Sequence, residues 1–196
     1  MDGTCDARST SASPAGFHIL FVCTGNICRS PLAERLTRSV LGPLFQVSSA
    51  GTHAEPGLPM TDRARKELLR LGGDPLGFTS RELTADLVAA ADLVLTGAIE
   101  HRAKVVALHP AAASRTYTMA EFGALAGAVA APVIARESDP VRRARALVDE
   151  VRALRGLVQV DQPDIPDPIG SSRWAYRAAG RRIARALAIP LRLLTP

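Results

Sequence analysis

The sequence predicts an α/β fold, a three-layer sandwich in which a four-stranded parallel sheet lies between two layers of helices. Short apolar segments rich in β-branched and aromatic residues alternate with longer segments of helical periodicity, and this alternation is typical of parallel strands joined by right-handed crossovers. The predicted strands are 17–23, 45–49, 91–96 and 115–119. The first and third have apolar runs typical of strands that are buried on both faces.

Helices are predicted between and after these strands from apolar spacing and flanking residues. Thr61, Thr84 and Asp139 are typical helix caps, and the Gly-Pro pair at 42–43 and the segment GGDP at 72–75 are typical stop signals. The predicted helices cover 31–41, 61–71, 84–90, 99–108, a segment starting near 121, 141–155 and 172–188.

Length and composition fit one folded domain with a tail. The chain has 196 residues, 47% of them hydrophobic and 22% charged, which is ordinary for a globular protein. Residues 1–15 are rich in Ser, Ala, Asp and Thr, so we expect a flexible N-terminal tail before a single domain over 16–196. Within that domain, 126–160 is longer than a compact plan needs, and we interpret it as an insertion or extension.

The charge pattern and the lengths of the apolar runs argue against nucleic acid and membranes as partners. The net charge is +5, but the clustered arginines lie at helical spacing without interleaved aromatic residues, which indicates solvated helix faces. We therefore expect no nucleic-acid partner. No apolar run approaches the roughly 20 residues of a membrane span, so we expect no membrane insertion. The clustered arginines are Arg142, Arg143, Arg145, Arg181, Arg182 and Arg185.

Cysteine usage and the start of the chain indicate a cytoplasmic protein. Cys5, Cys23 and Cys28 are an odd number of cysteines, which gives no even disulfide framework and favours a reducing compartment. Residues 1–16 lack the apolar core of a secretory signal.

The segment after the first strand contains the strongest candidate site. Residues 23–31 read CTGNICRSP. Gly25 and Asn26 tolerate unusual backbone angles, and Ser30 and Pro31 are typical of the cap and first position of a helix. The segment therefore predicts a tight loop between the first strand and a helix start.

Such a loop favours an oxyanion of the size of phosphate. Its inward-facing backbone N–H groups and the helix N-terminus supply donors and partial positive charge. Arg29 can bind two phosphate oxygens with its planar guanidinium. The same positive field, with the Ser30 hydroxyl as a donor, is expected to keep Cys23 as a thiolate at neutral pH. A thiolate below a bound phosphorus atom is a nucleophile for phosphoryl transfer.

The string CTGNICRSP, placed directly after an apolar strand, closely resembles the phosphate-binding loop of the low-molecular-weight protein tyrosine phosphatases. The resemblance implies a hydrolase that acts on phosphotyrosyl proteins or small aryl phosphates through a phosphocysteine intermediate. It implies Cys23 and Arg29 as catalytic residues and no metal or organic cofactor. The implied substrate-binding residues are Thr24, Gly25, Asn26, Ile27, Cys28 and Ser30.

Two further positions bear on the loop through the same resemblance. Residues 49–52, SAGT, resemble the segment in which the family's serine hydrogen-bonds the loop asparagine, which implies Ser49 as a supporting residue against Asn26. An ordinary turn serine is the alternative. The family commonly has a histidine before the segment that corresponds to 80–83, where this chain has Phe78. We therefore expect weaker hydrogen bonding around Asn26.

A late acidic loop supplies the candidate general acid. Residues 161–170 read DQPDIPDPIG, and Asp167 followed by Pro168 resembles the general-acid loop of the same phosphatases. A carboxyl group near an apolar wall and an anion can stay protonated and then protonate the leaving oxygen. Asp167 is therefore the third catalytic candidate. Asp164 is the first alternative and Asp161 the second.

The residues after this loop depart from the family pattern. Family members often have aromatic residues directly after the Asp-Pro pair, where they line a slot for the phosphotyrosine ring, but residues 169–172 read IGSS. Trp174 and Tyr176 follow at helix-interior spacing, so we expect them to pack against the core or to be partly exposed. Small aryl phosphates should be substrates, and the preference for tyrosyl peptides should be weak.

The other cysteine of the loop and the histidines have less specific assignments. The resemblance implies a reversible Cys23–Cys28 disulfide that protects the nucleophile, and a buried thiol that fills the loop is the alternative. We interpret His53 as a surface residue. His101 and His109 lack carboxylate or thiol neighbours at metal-ligand spacing, so we predict no metal site.

Two other functions share this loop. A thioredoxin-linked arsenate reductase uses additional cysteines well after the loop, and this chain has none beyond Cys28. A non-catalytic phosphate- or phosphopeptide-binding module would retain the loop without turnover. No pattern in the sequence predicts an oligomeric state.

Overall fold

The structure is a computed structural model that describes residues 16–195. The predicted tail over 1–15 lies outside the described residues. The strands and helices, in chain order, are β1 (Phe17–Cys23), α1 (Arg29–Arg38), β2 (Phe45–Gly51), α2 (Asp62–Arg70), α3 (Ala85–Ala90), β3 (Leu93–Thr96), α4 (Ile99–Leu108), a 3-10 helix (Pro110–Arg115), β4 (Thr116–Thr118), α5 (Met119–Ala128), α6 (Ala131–Ala135), α7 (Pro140–Leu154) and α8 (Arg173–Leu194).

The sheet has four parallel strands in the order β2-β1-β3-β4, which confirms the predicted fold class. β1 pairs with both neighbours, Ile19 lying opposite Val47 on one side and Leu93 on the other. The order reverses at β1, since β2 lies on one side of it and β3 on the other. The carboxyl end of β1 is therefore a topological switch point, where ligands bind in open α/β sheets.

Two apolar clusters cover the two faces of the sheet. The larger one includes Ile19 and Phe21 of β1 and packs against α1, α5, α7 and α8. The smaller one includes Leu20 and Val22, the alternate residues of the same strand, and packs against α3 and α4. This alternation follows from the two-residue repeat of a strand and gives the three layers that the sequence predicted.

The predicted bounds of three strands were wrong. β3 begins at Leu93, two residues after its predicted start. β2 continues to Gly51, two residues beyond its predicted end, because Gly51 still pairs with Cys23 and also bridges to Glu82. β4 is only Thr116–Thr118, since the 3-10 helix ends at Arg115 and the Thr118 side chain begins α5 with a capping box. The differences at β2 and β4 are set by neighbouring elements rather than by the strands themselves.

The segment 126–160 is more regular than expected. The loose linker predicted over 126–140 contains α6, which forms because Ile134 is fully buried and Pro132 stands at the start of the helix. Asp139 caps α7 as predicted, its carboxylate accepting from the Arg142 N–H at 2.8 Å. The interpretation of 126–160 as an insertion within a single domain stays a prediction.

The last helix is longer than the predicted 172–188. α8 includes Pro190 and runs to Leu194. Both residues are buried, and Leu194 belongs to the larger apolar cluster. Proline has no N–H, so the Ala186 carbonyl loses its usual helical donor at this turn. The two helices α5 and α8 approach closely at this turn, because Gly123 of α5 lies directly against the backbone of Ala186.

Four of the six clustered arginines are exposed on the surface. Arg142 and Arg145 on α7 and Arg181 and Arg185 on α8 are exposed, as predicted for solvated helix faces. Within residues 16–195, no helix combines the length and the apolar character that crossing a membrane requires.

Gly123→Ala tests the close packing of α5 on α8. The added methyl group would lie 2.9 Å from Ala186 Cα and 3.0 Å from its carbonyl carbon, so the two backbones would have to separate. Overpacking of this kind costs about 1–3 kcal/mol and outweighs the helix propensity gained by replacing glycine, at most ~1 kcal/mol. We expect the free energy of unfolding, measured in urea, to fall by roughly 1–2 kcal/mol.

Gly127→Ala on the same helix is the matched control. Its added methyl group would meet only the end of the Ile189 side chain, at 3.4 Å, which can move. This variant should be as stable as the parent protein or slightly more stable. Equal destabilisation of both variants would contradict the role assigned to the Gly123 contact.

Candidate active site

The segment 23–31 forms a loop at the carboxyl end of β1. Cys23 is the last residue of β1 and is 2% exposed, and Arg29 opens α1 and is 4% exposed. The predicted cap at Ser30 was wrong, because the helix begins at Arg29, two residues before its predicted start, and no described side chain caps it. The Ser30 hydroxyl instead lies 3.0 Å from Cys23 Sγ.

Asn26 holds the loop in shape from the inside. It is fully buried and adopts a left-handed conformation with φ 52°, which asparagine tolerates better than most residues. The Arg81 N–H donates to its Oδ1 at 2.9 Å, and this contact fixes the orientation of the amide. Its Nδ2 then donates to the hydroxyls of Ser30 at 2.9 Å and Ser49 at 2.8 Å. The contact with Ser49 implied by the family resemblance is therefore present.

The directions of these hydrogen bonds bear on the sulfur. Because the Ser30 oxygen accepts from Asn26, its own proton can be donated to Cys23 Sγ at 3.0 Å or to the Ala50 carbonyl at 3.5 Å, and the sulfur is the nearer acceptor. On the other branch, Ser49 accepts from Asn26 and donates to Glu34 Oε2 at 2.6 Å. Both branches thus run outward from the Asn26 amide, and the one through Ser30 ends on Cys23.

The prediction that Phe78 weakens the hydrogen bonding around Asn26 was wrong. Every polar atom of the Asn26 side chain has a partner, because the Arg81 backbone N–H occupies the remaining acceptor. Phe78 is buried, with the Arg35 guanidinium carbon 5.7 Å from the centre of its ring. The aromatic side chain therefore packs beside α1 and leaves the asparagine network complete.

The backbone after β2 holds the loop from the outside. The Thr52 N–H donates to the Cys23 carbonyl at 2.9 Å, and the His53 N–H donates to the Thr24 carbonyl at 3.0 Å. Gly51 lies so close to the loop that a Cβ atom there would stand 2.9 Å from the Asn26 nitrogen. Because the N–H of a peptide unit points away from its carbonyl, the N–H groups of Thr24 and Gly25 are directed toward the concave side of the loop.

Arg29 connects the loop to the late acidic segment. Its Nη1 donates to the Ile165 carbonyl at 3.2 Å, and its Nη2 donates to Asp167 Oδ2 at 2.5 Å and to Thr24 Oγ1 at 3.3 Å. Its Nε has no partner within the described residues. The structure therefore brings Asp167 next to the loop, although 138 residues separate it from Arg29 in sequence.

The two alternative carboxylates lie elsewhere. Asp164 Oδ1 accepts from the Ile99 N–H at 2.8 Å, so this side chain serves the first turn of α4. Asp161 is exposed and accepts from the Gln159 side chain at 3.0 Å. Of the three aspartates considered for the acid, only Asp167 contacts Arg29.

A fixed backbone presents Asp167. Ile165 is fully buried, and its N–H donates to the Gly97 carbonyl at 2.7 Å, just beyond β3. Pro168 is buried, and the Ile169 N–H donates back to Asp167 Oδ1 at 3.1 Å. The carboxylate, itself 43% exposed, is thus held between this local turn and the Arg29 guanidinium.

His101 is a part of the site that sequence reasoning missed. It is 1% exposed on α4, and its Nε2 lies 2.8 Å from Thr24 Oγ1. Burial, together with the nearby Arg29 guanidinium, lowers the pKa of His101 to about 4, so the ring is neutral at pH 7. The helix follows β3, the neighbour of β1, but the strand order that places it there cannot be read from local sequence. His53 is exposed, as expected.

Cys28 occupies an apolar environment. It is 5% exposed and belongs to the larger apolar cluster, and both Cys23 and Cys28 are unpaired. Burial, and secondarily the neighbouring Cys23, raises the pKa of the Cys28 thiol, so it stays protonated at neutral pH. The burial of Cys28 agrees with the alternative prediction of a buried thiol that fills the loop. The protective Cys23–Cys28 disulfide stays a prediction. No group of three metal-ligating side chains occurs within residues 16–195.

The rim beyond Asp167 has few aromatic groups. Ile169 is 48% exposed beside the carboxylate, whereas Tyr176 is buried in the core. Trp174 is 58% exposed and lies between Arg173 and Arg177, whose guanidinium carbons are 5.0 Å and 5.2 Å from its ring centre. The two aromatic residues therefore have the environments that the sequence predicted.

Comparisons with known proteins agree with this geometry. The chain is 39% identical over 104 residues to the low molecular weight protein-tyrosine-phosphatase Etp of Escherichia coli K12, which covers 53% of this chain and 70% of Etp. It is 33% identical over 139 residues to a protein-arginine-phosphatase of Geobacillus stearothermophilus, which covers 70% of this chain and 90% of that protein. The crystal structure of the Erwinia amylovora tyrosine phosphatase amsI has a similar fold, with a TM-score of 0.68 and 24% identity over 91% of this chain and 93% of amsI.

The family model named low molecular weight phosphotyrosine protein phosphatase matches residues 18–153. This match covers most of the chain and includes β1 from its second residue, the loop after it and Asn26 with its partners. The protein therefore belongs to the low molecular weight phosphotyrosine protein phosphatase family.

Proposed function

We propose that the protein is a cysteine-dependent phosphatase that hydrolyses phosphate monoesters with aryl leaving groups, above all phosphotyrosine in proteins. The observation that carries the proposal is the convergence of three groups at one loop. Cys23 Sγ has the Ser30 hydroxyl at 3.0 Å, and the Arg29 guanidinium is bonded to the Asp167 carboxylate at 2.5 Å. A nucleophile, an anion-binding cation and a proton carrier are the parts that this hydrolysis needs.

In the first step, the Cys23 thiolate attacks phosphorus in line with the leaving phenol oxygen. A sulfur–phosphorus bond forms and the phosphorus–oxygen bond breaks, while Asp167 gives its proton to the departing oxygen. Arg29 and the backbone N–H groups of 24–29 bind the three equatorial oxygens, over which charge is spread in the transition state. The product of this step is a phosphocysteine and a neutral phenol.

In the second step, water replaces sulfur on phosphorus. The Asp167 carboxylate takes a proton from the water, the water oxygen bonds to phosphorus, and the sulfur–phosphorus bond breaks. The Ser30 hydroxyl, whose oxygen accepts from Asn26, donates to the sulfur that leaves as a thiolate. Inorganic phosphate departs, and neither step requires a metal or an organic cofactor.

The Arg29–Asp167 ion pair links binding to the state of the acid. A phosphate dianion that binds Arg29 competes with the Asp167 carboxylate for the same guanidinium. Two anions at one cation repel each other, so the Asp167 carboxyl group leaves the guanidinium when the substrate binds. The ion pair with Arg29 thus describes Asp167 before substrate binding, and the carboxyl group released from Arg29 is the acid of the first step.

The surrounding residues have positioning roles in this proposal. Asn26, with Ser49 behind it, keeps the loop in the conformation that binds the anion. His101 holds the Thr24 hydroxyl, which also accepts from Arg29 at 3.3 Å. A neutral imidazole suits this place, because a second cation beside Arg29 would be repelled.

The proposed substrates are phosphorylated proteins of the cytoplasm. The chain has three cysteines in all, and Cys23 and Cys28 are unpaired. This usage fits a reducing compartment, in which a catalytic thiolate also remains available.

Phosphoarginine is a second candidate substrate. It is favoured by the similarity to a protein-arginine-phosphatase over 90% of that protein's length and by the sequence IGSS at 169–172, which provides no aromatic slot for a tyrosine ring. The discriminating measurement is kcat/KM on phosphotyrosyl, phosphoseryl and phosphoarginyl peptides with identical flanking residues. The highest value should be found with phosphotyrosine.

Cys23→Ser tests the nucleophile. The hydroxyl is a far weaker nucleophile than a thiolate, so turnover of p-nitrophenyl phosphate should fall by at least about 10³-fold. Phosphate or vanadate should still bind, measured by calorimetry, because Arg29 and the loop amides remain. Cys5→Ser is the control and should retain turnover.

Full turnover by Cys23→Ser would show that the nucleophile is another group. Phosphate binding by a wild-type protein that turns over none of these substrates would instead favour the non-catalytic binding module.

Asp167→Asn tests the acid. The amide has nearly the same size but carries no transferable proton, so esters with poor leaving groups should be affected most. We expect kcat for phenyl phosphate to fall by roughly 10²-fold or more, and kcat for p-nitrophenyl phosphate to fall much less. Asp164→Asn retains an acceptor for the Ile99 N–H and should leave the ratio of the two rates unchanged.

Equal slowing of both esters by Asp167→Asn would exclude its role as the acid. A leaving-group effect in Asp164→Asn would reassign that role to Asp164.

His101→Gln tests the neutral histidine through pH dependence. The folded-state pKa of His101 is about 4 and its ordinary value is 6.5, so between these values the unfolded chain binds a proton that the folded chain does not. The free energy of unfolding therefore decreases as pH falls from 6.5 toward 4, by about 2–3 kcal/mol from this group. In the Gln variant, urea unfolding at pH 7.5 and 4.5 should show a correspondingly smaller loss.

His53→Gln is the matched control, because the His53 side chain is exposed. Its loss of stability with pH should equal that of the parent protein. If His101→Gln also behaves like the parent protein, His101 is not held neutral.

A further inference from the structure

A basic groove lies between α2 and α8, outside the site described above. It has a volume of about 570 Å³, within the range of ligand pockets. We call it the α2–α8 groove. Its cationic lining residues are Arg63, Lys66, Arg70, Arg173 and Arg177.

Most of this positive charge is not neutralised locally. The carboxylate among the lining residues is Glu67, which is 4% exposed and bonded to Arg70 through Nε at 2.9 Å and Nη2 at 2.6 Å. The other four cations form no ion pair within residues 16–195. The groove therefore presents a positive field to whatever occupies it.

The packing of α8 on α2 keeps the Glu67 carboxylate at the base of the α2–α8 groove. A Cβ atom on Gly180 would lie 2.6 Å from Glu67 Cγ, so the two helices are in close contact below the groove. On the α8 side, the guanidinium groups of Arg173 and Arg177 lie against the exposed Trp174 ring. This stacking limits the conformations of two long cationic side chains and reduces the entropy lost when they bind an anion.

Both walls of the groove begin at the rim of the proposed active site. At the start of α2, the Thr61 N–H donates to the Ile27 carbonyl of the loop at 3.0 Å. At the start of α8, the Ser171 N–H donates to the Pro168 carbonyl at 2.9 Å, directly after Asp167. The Arg63 guanidinium joins the two walls through the Ser171 carbonyl. A peptide whose phosphate group lies in the loop can therefore continue into the groove.

We propose that the α2–α8 groove binds acidic residues that flank the phosphorylated residue of a protein substrate. The proposal rests on the proposed function, since it extends the same site along the substrate chain. Charge complementarity favours Asp- and Glu-rich segments, and an extended peptide advances about 3.3 Å per residue, so a few flanking residues reach the groove. Single-stranded nucleic acid is less suited, because the exposed Trp174 ring already has two arginines against it, and Tyr176, the aromatic residue of the lining, is buried.

The kinetic test compares two phosphotyrosyl peptides, one with Asp and Glu flanks and one with Ser and Gly flanks. The wild-type protein should show a kcat/KM roughly tenfold higher for the acidic peptide at low salt, and the difference should shrink as salt is added. The double variant Lys66→Glu and Arg173→Glu should remove or invert this preference. Turnover of p-nitrophenyl phosphate, which has no flanking residues, should stay within twofold, roughly, of the parent value.

The matched control reverses two charges on α7. Arg142→Glu and Arg145→Glu together change the net charge by the same amount, at exposed positions on another helix. This variant should retain the preference for the acidic peptide. An equal loss in the control, a preference that survives in the groove variant, or no preference in the wild type would each overturn the proposal.

Binding separates this proposal from the proposed function. A fluorescein-labelled, unphosphorylated acidic peptide should bind the wild-type protein in an anisotropy titration and bind the groove variant several-fold more weakly. This result would support the groove even if the protein turned over no phosphate ester, which would overturn the proposed function alone. Tighter groove-dependent binding of a single-stranded RNA oligonucleotide or of phosphatidylserine vesicles than of the peptide would overturn the proposal in favour of that class.

Discussion

A buried guanidinium joins parts of this chain that are far apart in sequence. Arg29 is 4% exposed, and a cation in that position needs partners that are hydrogen-bonded and, in part, oppositely charged. The Ile165 carbonyl, the Asp167 carboxylate and the Thr24 hydroxyl meet this need. Because the buried Arg29 charge needs these partners, the late acidic loop is held beside Arg29. The proposed nucleophile and the proposed acid come together as a consequence.

A second constraint acts on the loop itself. Asn26 has a backbone conformation that most side chains avoid, and its amide has all of its partners inside the protein. Each partner comes from a different part of the chain: Ser30 from α1, Ser49 from β2 and Arg81 from the connection to α3. A change in any of these elements would be transmitted to the loop, because a buried amide that loses a partner is destabilised by about 1–3 kcal/mol. The proposed binding surface for phosphate therefore depends on the whole N-terminal half of the fold.

Local patterns in the sequence were sufficient for much of this arrangement. The alternating elements predicted the parallel sheet, and the family resemblance of two short strings predicted the contacts of Asn26 with Ser49 and the approach of Asp167 to the loop. His101 was missed because its contact depends on β3 lying beside β1, and strand order is a non-local property. The effect of Phe78 was misjudged for a similar reason, since a backbone N–H at 81 occupies the place expected for a side chain. Backbone donors carry no signature in a sequence.

The anchoring of Ile165 determines which part of the site has to move. Its side chain is fully buried and its N–H is bonded to the Gly97 carbonyl at 2.7 Å, so the backbone before Asp167 is attached to the end of β3. Opening this segment as a lid would break that bond and expose apolar surface, whereas the half-exposed Asp167 side chain can rotate alone. Side-chain rotation occurs in picoseconds to nanoseconds, and lid motions take microseconds or longer. Access to the proposed site then depends on the rotamer of the Asp167 side chain, while the backbone that carries it stays in place. No slow conformational change is therefore needed for the release of product.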